Sequence, residues 1–332
     1  MHVDGSVARP QALSVADLRR LPQHTVLCAL QCAGNRRHAM RTRLREVCGI
    51  DWFDQALMNC AWRGPRLADV LALAGVRPEM RDGRGAWAGF VVLACYETPC
   101  QDDGWFGAGV ELARVMDPDG DVLLALEMNG RPLSAERGAP VRAIAPGVAG
   151  ARSVKWLNRV TVQLTDCSNY YQTHDYKILP PEADSIVEAK KWWGLVKPMM
   201  DLPVNSIVGL PKSGTTVVLD EKGMVEVKGY AVPAGGKGPV KSVEVSGDGG
   251  KSWVQAELDF GGHDVSTEEG RRKVRWTWCL WRARVKLARG EGRRIVSRAV
   301  DWGDNEQSEH GQWNIRGVGF NAWGMVQELN VE

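Results

Sequence analysis

The rhythm of apolar positions divides the chain into two regions. Over residues 1–180 helical and extended patterns alternate. The stretch SVADLRRL opens on Ser14, with Asp17 three residues later, the spacing that lets side chains cap the first turn of a helix. Pro65 to Leu73 (PRLADVLAL) sets Leu67, Val70 and Leu71 on one helical face and runs into Ala74-Gly75, which predicts a short amphipathic helix with a glycine stop. VLCALQC ahead of Gly34 and VRAIAPG over 141–147 predict buried strands that enter loops. Residues 180–205 form a connector punctuated by Pro180-Pro181 and Pro198, with Trp192-Trp193 as a surface anchor, and the boundary falls near Leu202-Pro203.

Beyond that boundary the period shortens to two. MVEVKGYAV, PVKSVEVSG and RRIVSRAVDW alternate apolar with polar, and DGGKSW (248–253) joins two such runs as a hairpin turn. WTWCLWRARVKL sets Trp276, Trp278 and Leu280 on one face against Thr277 and Cys279. Several short strands over about 125 residues predict an antiparallel sandwich of immunoglobulin-like type. The expected class is α+β: a mixed α/β domain over 1–180, a connector over 181–201 and a β-sandwich over 202–332.

Composition narrows the classes. The 332 residues are 44% hydrophobic and 25% charged, which suits a globular chain of two domains. A net charge of +2 gives no reason to expect nucleic acid or an anionic membrane as partner. No run approaches the length of a membrane span, and MHVDGSVARP has the features of neither a signal nor a transit peptide. The eight cysteines include no CxxC pair and the six histidines are scattered, so a reducing compartment fits better than a disulfide scaffold or a zinc site.

The most informative chemistry lies in Gln31-Cys32-Ala33-Gly34-Asn35-Arg36-Arg37. Here a cysteine at a strand end is followed by a glycine turn and paired arginines. Neighbouring cations favour a thiolate, and a thiolate is a soft ligand for a transition metal. On spacing alone, a core cysteine beside a solvated arginine pair fits at least as well, and both readings stay open.

CALQCAGNRRHAM resembles the signature of the sulfite oxidase and assimilatory nitrate reductase family. WRGPRLADVLALAG, VLLALEMNGRPLSAERGAPVRAIAPGVAGARSVKWLNRV and NYYQTHDYK follow in the family's order. LPVNSIV opens its C-terminal dimerisation domain, and SVEVSGDGGKSW and WNIRGVGFNAW stand where that domain has them. The resemblance covers nearly the whole chain. It implies the sulfite oxidase fold for the first domain and a molybdenum-molybdopterin cofactor bound through one protein sulfur, Cys32, with Cys28 left to the core. It also implies cofactor contacts at Arg137, Arg142, Ser153 and Lys155, since arginine forks and a glycine-rich turn suit a phosphate. Arg137 stands where the family usually has histidine, and Glu97 where it tends to have an aspartate near the pterin. Arg37, Trp52, Tyr176 and Arg316 match the positions that line the family's pocket for a small oxyanion. Taken singly, Trp52 also fits a core residue and Arg316 a surface arginine.

The implied activity is oxidation of sulfite to sulfate by oxygen-atom transfer. Electrons would pass to a separate acceptor, cytochrome c or oxygen, because no haem domain is recognisable in the chain. A homodimer and a cytoplasmic or mitochondrial intermembrane-space location follow from the same resemblance. Tyr176-Lys177 favours sulfite, whereas Asn169-Tyr170-Tyr171 is closer to the nitrate reductases, so a nitrate reductase molybdenum domain is the alternative. The family's arginine-asparagine-histidine segment ahead of the QCAGNRR strand has no counterpart here. The expectation is an N-terminally truncated member of impaired activity, or a non-catalytic dimeric remnant.

Overall fold

The computed structural model describes residues 1–332 as two compact units, neither of which is a single stretch of chain. The first comprises Met1–Ala33, Cys60–Met200 and Asn314–Val318; the second comprises Gly34–Asn59, Asp201–Trp313 and Gly319–Glu332.

The first unit is built on a five-stranded sheet in the order Gln11–Ala12, His2–Gly5, Arg159–Gln163, Phe90–Cys95, Phe106–Glu111. His2–Gly5 runs parallel to Arg159–Gln163, and the other pairs are antiparallel. A second sheet contains His24–Gln31, Leu57–Gly64, Glu127–Met128 and Arg131–Pro132, and Leu123–Ala125 pairs with Arg142–Ile144. The expected helix starts at Ser14, whose Oγ accepts from the Asp17 amide at 3.1 Å while the Asp17 carboxylate accepts from the Ser14 amide at 2.9 Å. The expected helix over 65–73 spans Leu67–Ala74 and stops at Gly75, whose amide bonds Leu71 O at 2.9 Å. Its apolar face, Leu67, Val70, Leu71 and Ala74, is fully buried in one core with Leu18, Leu93, Val110 and Val160. In the connector only Ile186–Ala189 is helical, and Trp192 and Trp193 are half-buried, with the Trp193 ring 5.5 Å from His174.

The second unit carries two sheets. One holds Asn205–Leu210, Met224–Val232, Cys279–Lys286 and Glu257–Asp259; the other holds Thr216–Val217, Gly324–Val331, Gly290–Asp301, Val240–Ser246 and Val254–Gln255. The runs expected from period-two alternation are these strands, and 248–253 is the turn between antiparallel Val240–Ser246 and Val254–Gln255. Two details differ from expectation. The sandwich is not wholly antiparallel: the chain switches sheets after Leu210, so Thr216–Val217 meets Gly324–Val331 in parallel. The phase of WTWCLWRARVKL is also reversed. The strand begins only at Cys279, and Cys279, Trp281, Ala283 and Val285 face the core while Leu280 is exposed. Four apolar odd positions, alternating with Arg282, Arg284 and Lys286 from Trp281 on, outweigh the single leucine.

Residues 34–59 form part of this second unit. The helix Arg37–Arg43 buries Ala39 and Met40, which cluster with Val47, Phe320 and Ala322. Arg36 is fully buried, with a left-handed backbone (φ 67°). Its guanidinium donates to Asn205 Oδ1 at 2.6 Å, Ala322 O at 2.5 Å and Trp323 O at 2.9 Å, and lies 3.5 Å from Asp54. These bonds and the nearby Asp54 offset the cost of burying the cation, although its Nε has no hydrogen-bond partner. All eight cysteines are free, and no helix is long and apolar enough to cross a membrane.

Candidate functional site

Cys32 follows immediately on the buried strand His24–Gln31 and is half-buried. The strand end lies against the 147–153 segment: a Cβ on Gly150 would stand 3.0 Å from Gln31 O. Cys28, on the same strand, is fully buried, and burial pushes its thiol up to about 12. The two thiols of CALQC therefore sit in different surroundings, one sealed in the core and one at the mouth of a turn.

Arg137, Arg142, Ser153 and Lys155 come together in the first unit. Arg142 leaves its strand almost fully buried, donates to Arg137 O at 3.1 Å and Ser153 O at 3.0 Å, and stacks 4.9 Å over the Trp62 ring. The Ser153 hydroxyl accepts from the Ala145 amide at 3.0 Å, leaving its own O–H free to donate. Lys155 lies over Gly138, whose φ of 101° and missing Cβ permit the approach: a Cβ there would meet Lys155 at 2.8 Å. Burial lowers the Arg142 guanidinium to about 10, with Arg137 pushing the same way. Lys155 is lowered by burial and then by Arg142 and Arg137. These mutually repelling cations have no carboxylate in an ion pair with them, and Arg142 Nε is buried without a partner. Burying Arg142 in this way is costly unless an anion meets it, whereas Arg137 is exposed and Lys155 has Glu136 nearby; forked guanidinium donors suit a phosphate. The donor set thus fits a cofactor with an anionic end and a metal that takes one soft sulfur ligand. Glu97 stands apart from the cluster. It is exposed, accepts from Asn158 Nδ2 at 2.9 Å and lines a separate cavity of about 600 Å³ with Pro140 and Trp156.

Arg37 and Trp52 belong to the second unit. Arg37 opens its helix and is nearly buried, donating to Ile50 O at 2.9 Å. Its guanidinium lies between two glycines: a Cβ on Gly34 would stand 2.5 Å from Nη2, and one on Gly49 (φ 137°) 2.7 Å from Nη1. The glycine of CAGNRR is thus needed for the arginine three residues on. The Trp52 indole is 40% exposed, so the core alternative for it does not hold. It follows a turn stabilised by its own amide bonding Ile50 O at 2.8 Å.

Tyr176 and Arg316 belong to the first unit. Tyr176 ends a single π-helical turn, Tyr171–Asp175, an element common near functional groups because its extra residue re-aims a side chain. Arg316 is mostly buried and forms an ion pair with Asp175, so it is not the free surface arginine of the alternative reading. Sequence reasoning missed Asp175, and it also missed Arg152, a buried guanidinium 5.4 Å over the Tyr176 ring. Asp175 adjoins a singled-out tyrosine and was in reach, whereas the partners of Arg152 are too scattered along the chain to signal it.

The family model for the oxidoreductase molybdopterin binding domain matches residues 1–171, and the Mo-co oxidoreductase dimerisation domain matches 196–329. Mitochondrial sulfite oxidase of Rattus norvegicus is 39% identical over 333 residues, 98% of this chain and 56% of that protein. The chain thus spans about half the length of that relative. A nitrate reductase [NADH] of Ulva prolifera is 33% identical over 326 residues, 96% of this chain and 36% of that protein. In fold, the chain is similar to the crystal structure of the sulfane dehydrogenase SoxCD from Paracoccus pantotrophus, with a TM-score of 0.73 at 24% identity, covering all of this chain and 77% of that one. On the two domain matches and the near full-length likeness, the chain belongs to the sulfite oxidase family of molybdopterin-binding oxidoreductases.

Proposed function

We propose that the chain is a molybdenum-dependent oxidoreductase that converts sulfite to sulfate and passes the electrons to a separate acceptor, cytochrome c or oxygen. The observation that carries this reading is the convergence of Arg137, the buried Arg142 and Lys155, none of them in an ion pair, in the same unit as the half-buried Cys32. When bound, the molybdenum cofactor supplies the two-electron redox chemistry and the oxygen transfer. Cys32 would give the metal its protein sulfur. Arg137, Arg142 and Lys155 would hold the anionic end, with the Ser153 O–H donating to it. Glu97 has a weaker claim, because it is already bonded to Asn158.

Toward a small dianion, Arg37 offers a guanidinium held in place by Gly34, Gly49 and Ile50 O, so little side-chain freedom is lost on binding. Tyr176 would donate its phenol O–H and Trp52 would exclude water. Arg316 shares its charge with Asp175, which weakens its pull on an anion. In domain terms we assign 1–180 to cofactor binding, 181–201 to the connector and 202–332 to dimerisation. The whole would be a homodimer in the cytoplasm or the mitochondrial intermembrane space.

Nitrate reduction is the second reading, favoured by the likeness to the Ulva nitrate reductase. One experiment separates them: purified protein is analysed for molybdenum and assayed with sulfite plus cytochrome c or ferricyanide, and with nitrate plus a reduced dye. We expect molybdenum near one per chain, sulfite turnover, and loss of both in Cys32→Ser. Equal turnover by Cys32→Ser overturns the ligand assignment; turnover with nitrate alone overturns the substrate.

A further inference from the structure

Arg152 carries a charge that the proposed chemistry does not use. Its side chain is 1% exposed, and no carboxylate touches it. Nη1 donates to Tyr171 O at 3.3 Å and to Gln172 Oε1, Nη2 donates to Met199 O at 3.1 Å, and Nε is buried without a partner. Met199 in turn donates its amide to Tyr176 O at 2.8 Å. One guanidinium therefore ties both ends of the π-helical turn: Tyr171 and Gln172 at its start directly, and Tyr176 at its close through Met199.

The nearest acid is reached only through Gln172, whose Nε2 donates to the Asp166 carboxylate at 3.0 and 3.1 Å. Burial lowers Arg152 to about 10, and the favourable charge interaction opposing this comes first from Tyr176, ahead of Asp166. A cation buried this deeply is expensive, and a fold that needed only a staple between backbone carbonyls could use a neutral donor. What a neutral donor lacks is a positive field on the adjacent ring, 5.4 Å away.

We propose that Arg152 is a positioning residue for Tyr176: it fixes the turn that presents the phenol and turns a positive charge on the ring. The inference rests on Tyr176 contacting the oxyanion, as proposed above. Such a cation favours the charged phenolate and strengthens the phenol as a hydrogen-bond donor. A planar fork is required, because three carbonyl-type acceptors are held at once.

The test uses the full chain labelled with 3-fluorotyrosine, with the Tyr176 resonance identified by its loss in Tyr176→Phe. In Arg152→Gln that resonance should shift and its titration should move to higher pH. In molybdenum-replete protein the KM for sulfite should rise about tenfold, with kcat held within about threefold, a change of about 1.4 kcal/mol in binding. Arg152→Lys keeps the charge and loses the fork, so its resonance should shift while its titration stays near wild type. It also decides the matter by the resonance alone if Arg152→Gln does not fold. An unmoved Tyr176 resonance in a folded variant overturns the proposal, even where thermal stability falls, since that is the mark of a purely structural arginine. Absence of sulfite turnover in the wild type removes the substrate reading, and the fluorine measurements then decide the role of Arg152 by themselves.

Discussion

At the scale of single residues, the candidate site depends on where atoms are missing as much as on where charges lie. The Arg37 guanidinium occupies the space that side chains on Gly34 and Gly49 would fill. Gly34→Ala therefore tests function and folding separately. The added methyl would stand 2.5 Å from the Arg37 guanidinium and displace it from between the two glycines, while Gly34 itself has no positive φ to make alanine strained. Because the nearly buried Arg37 would lose its bond to Ile50 O, we expect a lower melting temperature, a loss of about 1–3 kcal/mol, with the protein still folded. If Arg37 binds the oxyanion as proposed, its displacement should raise KM for sulfite about tenfold or more, the loss of one charge-assisted bond of about 1.5–3 kcal/mol. Steady-state kinetics beside differential scanning calorimetry check this. An unchanged KM removes Arg37 from the substrate site.

At the scale of elements, local pattern predicted those elements whose signals lie in adjacent residues. The capped start at Ser14, the glycine stop at Gly75 and the strand Met224–Val232 all follow from residues adjacent in sequence. The reversed face of Cys279–Lys286 was not legible from its first half, because Trp276 and Thr277 are both buried ahead of the strand and obscure its phase. The hairpin at 248–253 shows why a turn motif is legible: one carboxylate does the bonding. Asp248 accepts from the Lys251 and Ser252 amides at 3.0 and 2.9 Å and from the Ser246 and Ser252 hydroxyls at 2.7 and 2.6 Å. These bonds, that of Ser252 first, hold its carboxyl well below the usual range. A depressed carboxylate stabilises the fold fully above its unfolded pKa and loses that contribution as pH falls toward the folded value. Asp248→Asn should therefore lower the melting temperature at pH 7, and the gap from wild type should narrow below about pH 4, where the unfolded carboxylate begins to protonate. Asp17, Asp264 and Glu269 are depressed as well, so both proteins lose stability in acid, and only the difference between their melting curves isolates the turn. A gap that stays constant from pH 7 to pH 3 would place the stabilisation elsewhere.

At the scale of the whole molecule, the linear boundary near residue 202 and the compact units diverge. A cut in the sequence is read from composition and punctuation, which report on neighbours along the chain. Residues 34–59 and 314–318 have partners some 140–290 positions away, and no local rhythm records that. Asn35 donates to Tyr230 Oη at 3.0 Å, and Tyr230 Oη donates to Asp54 O at 2.6 Å. Arg36 donates to Asn205 and two C-terminal carbonyls, and Ala39, Met40 and Val47 cluster with Phe320 and Ala322. A fragment of residues 202–332 retains every strand of the sandwich but loses all of these partners. It exposes an apolar cluster and loses the charged donor to Asn205, Ala322 O and Trp323 O, leaving Gln307 as a remaining donor to the first two. These losses stand against a typical domain stability of about 5–15 kcal/mol. We expect this fragment to show no cooperative urea transition and poorly dispersed amide resonances. Fusing residues 34–59 to it through a flexible glycine-serine linker should restore both, because the linker supplies the missing segment at high effective concentration. In that fused protein, Arg36→Met should undo the gain: methionine fills part of the volume but bonds none of Asn205, Ala322 O and Trp323 O, while Asp54 loses its cation. A 202–332 fragment that unfolds cooperatively on its own would show instead that the sandwich is self-sufficient and that residues 34–59 merely rest on it.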